Sequence, residues 1–255
     1  MLSKKVCVVT GSSSGIGAST ARLYAQHGWD VVINFSRDPV PAEAVAADCR
    51  ALGAEVLVVK ADVALNEDCV RLAAEVQARF GRADVLVNNA GTTKFVGLKD
   101  LDGLEADDFH RIYSVNVVGA YQMIRALAPL LKQNPGAGIV NISSVASMMG
   151  VGSSIAYMAS KGALNAMTVG LARALGPEIR VNGVAPGLVE TPWLQNGLGE
   201  ARYAASVQGY KARAALESVL SPEDVAEAAW WLGAGAAKTT GEVLLVDAGL
   251  RITKA

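Results

Sequence analysis

Tyr157 and Lys161 stand four residues apart in Tyr-Met-Ala-Ser-Lys, thirteen residues after Ser144. On a helix this spacing sets the phenol and the ammonium on one face. A free phenol has pKa ~10, and moving it by roughly three units takes about 4 kcal/mol of preference for the phenolate. One unit charge at ~4 Å supplies roughly that much at an effective dielectric of ~20. The pair therefore reads as an acid–base catalyst in which Lys161 lowers the Tyr157 pKa. By itself the spacing is weak, because a buried tyrosine beside a snorkelling lysine on an amphipathic helix has the same signature.

A second chemical feature lies near the start. Val6-Cys7-Val8-Val9 runs into Thr10-Gly11-Ser12-Ser13-Ser14-Gly15-Ile16-Gly17, and a helical pattern follows at once. Gly11 permits a tight turn, Gly15 lets backbone approach a pyrophosphate, and Gly17 allows close helix–strand packing. The helix N-terminus offers free N–H groups to an anion. At the end of the next apolar run, where an acidic residue would receive a ribose 2′-hydroxyl, stand Phe35, Ser36 and Arg37. Phenylalanine cannot accept such bonds, whereas Ser36 and Arg37 suit a 2′-phosphate. NADP(H) is the favoured cofactor, with NAD(H) open if Asp38 reaches the ribose instead.

Positioning these residues requires a repeated strand–helix alternation, and the chain carries one. Val6–Thr10, Asp30–Phe35, Val56–Lys60, Val85–Asn88, Ile139–Ser143, Arg180–Ala185 and Val243–Val246 read as strands. Gly15–His27, Ala42–Leu52, Asn66–Phe80, Ala106–Leu131 and Tyr157–Leu175 read as helices, with Gly28, Gly53 and Gly81 placed to end three of them. The pattern implies an α/β fold: a Rossmann-type, doubly wound, seven-stranded and mainly parallel sheet with helices on both faces. No linker or repeat divides residues 1–255, which read as one dinucleotide-binding and catalytic domain. The segment 188–215 breaks the rhythm with Gly197, Gly199 and Gly209 among Trp193, Leu194, Tyr203 and Tyr210. It reads as a substrate lid or as a helical hairpin packed on the core.

Composition narrows the classes. Of 255 residues 51% are hydrophobic and 18% charged, enough for a large core, and the net charge of −1 leaves no basic footprint for nucleic acid or an anionic membrane. The uncharged stretch 133–160 is interrupted by serines, asparagines, a proline and glycines, so a membrane span is not expected. The start, Met1-Leu2-Ser3-Lys4-Lys5, leads into too few apolar residues for a signal-peptide core. Cys7, Cys49 and Cys69 form neither a Cys-x-x-Cys nor an even set, which suits a cytoplasmic location, and no metal site is expected at His27 or His110.

Taken together, Thr10-Gly11-x-x-x-Gly15-Ile16-Gly17, Asp62-Val63, Asn88-Asn89-Ala90-Gly91, Asn116, Ser144, Tyr157-x-x-x-Lys161 and Pro186-Gly187 resemble the short-chain dehydrogenase/reductase family, including its 3-oxoacyl-acyl-carrier-protein reductases, over essentially the whole chain. The resemblance implies that Ser13, Ser14 and the glycine turn meet the pyrophosphate, and that Asp62 and Val63 meet the adenine. Asn89, Ala90 and Gly91 would line the ribose side, and Pro186, Gly187, Val189 and Thr191 would hold the nicotinamide carboxamide. Tyr157 would be the general acid or base, Lys161 would lower its pKa and hold the ribose, Ser144 would bind the substrate oxygen, and Asn116 would hold a relay water. It also implies a homotetramer acting on a small carbonyl or alcohol substrate.

Family members that act on acyl carrier protein tend to carry arginines before the fifth and sixth strands. Here those stretches, Gln133-Asn134-Pro135-Gly136-Ala137 and Gly176-Pro177-Glu178, hold none. Trp193, Leu194, Met148, Met149, Tyr203 and Tyr210 suggest an apolar–aromatic pocket, although the two methionines equally suit core packing. The expected activity is hydride transfer between NADP(H) and a carbonyl or secondary alcohol. The alternatives are an NAD-dependent alcohol or sugar dehydrogenase and a dinucleotide-sensing protein without catalysis.

Overall fold

The computed structural model describes residues 4–252; Met1, Leu2 and Ser3, part of the start discussed above, lie outside the described residues. Alternate side chains of the apolar runs go to opposite faces of the sheet. Cys7, Val9, Val31 and Ile33 join one buried cluster, whereas Val6, Val8 and Val32 join the other. Strands β1 (Val6–Val9), β2 (Asp30–Phe35), β3 (Val56–Lys60), β4 (Val85–Asn88), β5 (Ala137–Ile142), β6 (Ile179–Pro186) and β7 (Val243–Val246) form one sheet in the order β3-β2-β1-β4-β5-β6-β7. Every neighbouring pair is parallel, with Val6 opposite Asp30 and Cys7 opposite Val85 setting the register around β1.

Helices α1 (Gly15–Gln26) and α2 (Pro39–Ala51) cover one face, and α3 (Asn66–Phe80) covers the other. The glycines expected to end helices do so: Gly28, Gly53 and Gly81 all have positive φ. The stretch expected as one helix over 106–131 is α4 (Ala106–Tyr113), a π-helical turn (Ser114–Gly119) and α5 (Ala120–Leu131). Contact with the sheet edge accounts for a glycine at the end of that wide turn, since a Cβ on Gly119 would lie 2.8 Å from Val63 Cγ2.

After β5 come the short α6 (Ala146–Met149) and the long α7 (Ile155–Leu175), whose start is capped by Ser154 accepting from Tyr157 N–H. The irregular segment after β6 folds as a hairpin of α8 (Pro192–Leu198) and α9 (Glu200–Arg213). The short α6 was not read from the sequence, nor was α10 (Pro222–Trp230), which is followed by a π-helical turn over Trp231–Gly235. The signal for α10 was present in Ser221-Pro222-Glu223-Asp224, a capping box with proline in the first turn. No helix among the described residues is long and apolar enough to cross a membrane.

The chain after β1 winds toward β2 and β3, and the later strands add on the other side of β1. The sheet therefore splits its connections between β1 and β4, the place where open α/β sheets bind ligands beyond their carboxyl ends.

Candidate active site

The turn after β1 is held from below by side chains that the apolar runs conceal. Asn34 ends the run Val31-Val32-Ile33 and is 2% exposed. Its Oδ1 accepts from Gly11 N–H at 3.0 Å, while Nδ2 donates to the carbonyls of Phe35, Val59 and Ala61. Thr10 Oγ1 accepts from the N–H groups of Asn89 and Ala90, and Asn89 Nδ2 donates to the carbonyls of Thr10 and Gly11, each at 2.9 Å. Sequence reasoning missed Asn34 and Thr10; a lone amide in a buried apolar strand was the available signal.

Gly11 and Gly15 sit at φ 59° and 53°, the left-handed region that favours glycine. Gly17 is required by space: a Cβ there would lie 2.6 Å from the Gly11 carbonyl oxygen and 2.5 Å from Asn89 Nδ2. Helix α1 begins at Ser14 with no side-chain cap, which leaves its first N–H groups for an external acceptor.

A cleft of about 1050 Å³ opens over this turn. It is lined by Gly11, Ser14, Gly15, Ile16, Ser36, Arg37, Asp62, Val63, Asn89, Ala90, Gly91, Ser144, Tyr157, Lys161, Pro186, Gly187, Val189 and Thr191, all candidates from the sequence. Three further candidates, Ser13, Gly17 and Asn116, do not line it. Arg37 has no ion-pair partner among the described residues. Its neighbour Asp38 is committed elsewhere, capping α2 by accepting from Val40 N–H at 3.0 Å.

Helix α7 brings Tyr157 and Lys161 to one face, as the spacing required. Ser144 faces the Tyr157 hydroxyl and draws its pKa down, and Ser144 Oγ accepts from Ala146 N–H at 3.2 Å. Lys161 donates from Nζ to the Ile142 carbonyl at 2.7 Å, and this nitrogen lies 5.7 Å from the Tyr157 ring centre.

The expected electrostatic role of Lys161 needs correction. Burial pushes the Tyr157 phenol up to about 12, only Ser144 pulls it down, and the Lys161 charge is not among the causes. Lys161 is itself pushed down to about 8 by burial. The spacing fixed a shared face, but the ammonium turns to a carbonyl and loses part of its charge to desolvation.

Asn116 does not line the cleft. It is 1% exposed, and its amide is spent inside the protein. Oδ1 accepts from Thr92 N–H at 2.8 Å, and Nδ2 donates to the Thr92 carbonyl and to Ser160 Oγ. The side chain thus clamps the 89–92 loop to α7.

The outer wall comes from the α8–α9 hairpin. Trp193 lines the cleft with its ring 5.5 Å from that of Phe95 and 6.4 Å from that of Tyr157. Leu194 and Tyr210 also line it, whereas Met148, Met149 and Tyr203 do not. Tyr210 is a buried anchor, 4% exposed, whose hydroxyl donates to the Asp247 carbonyl at 2.7 Å. Phe95, Arg111 and Arg213, which sequence reasoning passed over, line the same cleft from loops and helix ends. No group of three or more metal-ligating side chains occurs among the described residues.

Comparison with known proteins agrees with this geometry. A family model described as Enoyl-(Acyl carrier protein) reductase matches residues 11–251. A Streptomyces violaceoruber protein assigned as ketoacyl reductase 2 of the granaticin polyketide synthase is 42% identical over 247 residues, 97% of this chain and 96% of its own length. An L-rhamnose 1-dehydrogenase (NAD(P)(+)) of a Sphingomonas species is 34% identical, over 99% of this chain and 98% of its own. A solved structure from Burkholderia xenovorans, assigned to the short-chain dehydrogenases/reductases, superposes with a TM-score of 0.92 at 41% identity, covering 99% of this chain and 100% of that one.

Proposed function

The chain belongs to the short-chain dehydrogenase/reductase family of oxidoreductases, and we propose that it is an NADP(H)-dependent carbonyl reductase with Tyr157 as general acid. The observation that carries this reading is that Ser144, Tyr157 and Lys161 open onto the same cleft as the glycine turn and Arg37.

The residues present suit a phosphorylated dinucleotide. Uncapped N–H groups at the start of α1 and the glycine turn would take the pyrophosphate, and Arg37 with Ser36 would take a 2′-phosphate. Asp62 and Val63 would border the adenine, Asn89, Ala90 and Gly91 the ribose, and Pro186, Gly187, Val189 and Thr191 the nicotinamide end. When bound, that cofactor supplies or accepts the hydride. Asp38 gives one carboxylate oxygen to the cap of α2, which supports the 2′-phosphate reading.

The chain's own residues then manage the proton. Tyr157, held at about 12, keeps its proton at neutral pH and can donate it to a carbonyl oxygen that gains charge. Ser144 donates a hydrogen bond to the same oxygen. Lys161 holds the ribose and stays largely protonated at pH 7. Asn116 acts by fixing the 89–92 loop against α7. Residues 1–255 act as one domain, and the hairpin within 188–215 covers the substrate. A cytoplasmic homotetramer completes the proposal; it rests on the family resemblance and is tested by size-exclusion chromatography with light scattering.

The test is a screen of purified protein against acyl, sugar and cyclic ketones with NADPH and NADH, following loss of reduced cofactor. Tyr157→Phe should bind NADPH normally and lose about 10²–10⁴ in turnover. Near-normal turnover by that variant excludes the assignment. Faster oxidation of sugars with NAD would favour instead the activity that the rhamnose dehydrogenase relative bears in its name.

A further inference from the structure

Three successive residues at the end of β5 are fastened to α7, and the fourth, Ser144, faces it. Asn141 Nδ2 donates to Thr168 Oγ1 at 2.9 Å, and the Ile142 carbonyl accepts from Lys161 at 2.7 Å. Ser143 Oγ donates to Asn165 Oδ1 at 2.5 Å, and Ser144 faces the Tyr157 hydroxyl. Asn165 has a second tie. Its Nδ2 donates to Ser147 Oγ at 2.8 Å, and Ser147 Oγ donates to the Ser144 carbonyl at 2.5 Å.

From these contacts we infer that Asn165 is a positioning residue that sets the direction of the Ser144 hydroxyl by gripping its turn on both sides. An amide presents an acceptor at one end and a donor at the other. The acceptor end takes the Ser143 proton, and the donor end fills a lone pair of Ser147, so the Ser147 proton is left for the Ser144 carbonyl. The Ala146 N–H fills a lone pair on Ser144 Oγ. The proton of Ser144 is then left for the cleft side, where the reacting oxygen binds. Neither an apolar side chain nor a carboxylate at 165 reproduces this ordering. With an apolar residue Ser143 keeps only its longer bond to the Lys161 carbonyl at 3.4 Å and Ser147 loses a donor, and with a carboxylate Ser147 can turn its proton toward 165; either way the grip on the turn carrying Ser144 weakens. Asn165 lies eight residues after Tyr157, so one face of α7 carries the proton donor, the ribose-binding lysine and the residue that aims their serine.

The inference rests on the proposed reductase activity, and a double-mutant cycle separates the two. Wild type, Asn165→Ala, Ser144→Ala and the double variant are compared on the ketone most rapidly reduced in the screen. Asn165→Ala should lower kcat about tenfold without changing NADPH affinity, and in the Ser144→Ala background the same change should cost under about twofold. Equal losses in both backgrounds would mean that Asn165 only packs α6 on α7, and would overturn the inference. Ser147→Ala cuts the same chain at a part-exposed position and should reproduce the kcat loss; normal kcat overturns the inference too. A crystal structure of Asn165→Ala needs no substrate: the turn should shift Ser144 relative to Tyr157, and an unmoved Ser144 rejects the idea. Activity in Tyr157→Phe would instead sink the reductase reading itself.

Discussion

Lys161 Nζ sits 5.7 Å from the centre of the Tyr157 ring yet donates to the Ile142 carbonyl at 2.7 Å. The amine is therefore part of the buried scaffold as much as of the cleft. At 4% exposure its charge is a cost to folding, and the cost has a pH signature.

Burial lowers the folded-state pKa of Lys161 from 10.5 to about 8. Below pH 8 both folded and unfolded chains are protonated, and the full penalty applies. Between 8 and 10.5 the unfolded chain holds the extra proton, so the penalty fades as pH rises. Lys161→Met should be more stable than wild type at pH 7 by about 2 kcal/mol, after allowing for the lost hydrogen bond to Ile142. At pH 10 the gain should nearly vanish. Urea unfolding of both proteins at the two pH values measures this, and taking the difference between them cancels the buried cysteines, which titrate in the same range. An unchanged difference would contradict it.

The same ionisation should shape activity. Tyr157 keeps its proton to about 12, so a basic limb near pH 8 in kcat/KM for NADPH would belong to Lys161. Lys161→Met should be slower throughout and lack that limb. A wild-type profile flat to pH 10 would show that the lysine charge does not assist binding.

Arg37 and Asp38 give the cofactor prediction. With Asp38 capping α2 and Arg37 lining the cleft, Arg37→Ala should weaken NADPH binding by about 10–100-fold and leave NADH nearly unchanged. Fluorescence titration with both nucleotides decides it. Unaltered NADPH affinity would refute the role given to Arg37.

Asn34 supports the glycine turn from within the sheet. Asn34→Leu removes the acceptor for Gly11 N–H and three bonds to strand-end carbonyls, of which that of Phe35 keeps a second partner, the Ala61 N–H. A loss of about 3 kcal/mol in stability is expected, together with weaker NADPH binding. Denaturant titration and nucleotide titration check the two halves separately; a stable variant with normal affinity would remove Asn34 from the account.

Much of this was legible in the residues themselves. The strands at Asp30–Phe35, Val56–Lys60, Val85–Asn88 and Val243–Val246 lie where the β-branched runs placed them; the first and third are buried on both faces, which leaves a continuous apolar signature, while the two half-buried edge strands carry the same β-branched run. The glycine turn and Tyr157-x-x-x-Lys161 were visible because each is local. What escaped depends on contacts distant in sequence. The π-helical turn at Ser114–Gly119 lies against Val63, the Asn34 bonds join three strand ends, and the Lys161 pKa depends on burial. Spacing also could not show that Met148 and Met149 turn away from the cleft while Phe95 turns toward it.

The division of labour between α7 and the α8–α9 hairpin has an evolutionary consequence. The proposed reacting groups belong to a helix bonded to the middle of the sheet. The outer wall is a separate hairpin, joined at the Val189–Leu220 bridge and at the Tyr210 tie to Asp247. Exchanging that hairpin while keeping those two attachments would retarget the proposed chemistry to new molecules and leave Tyr157 where it stands.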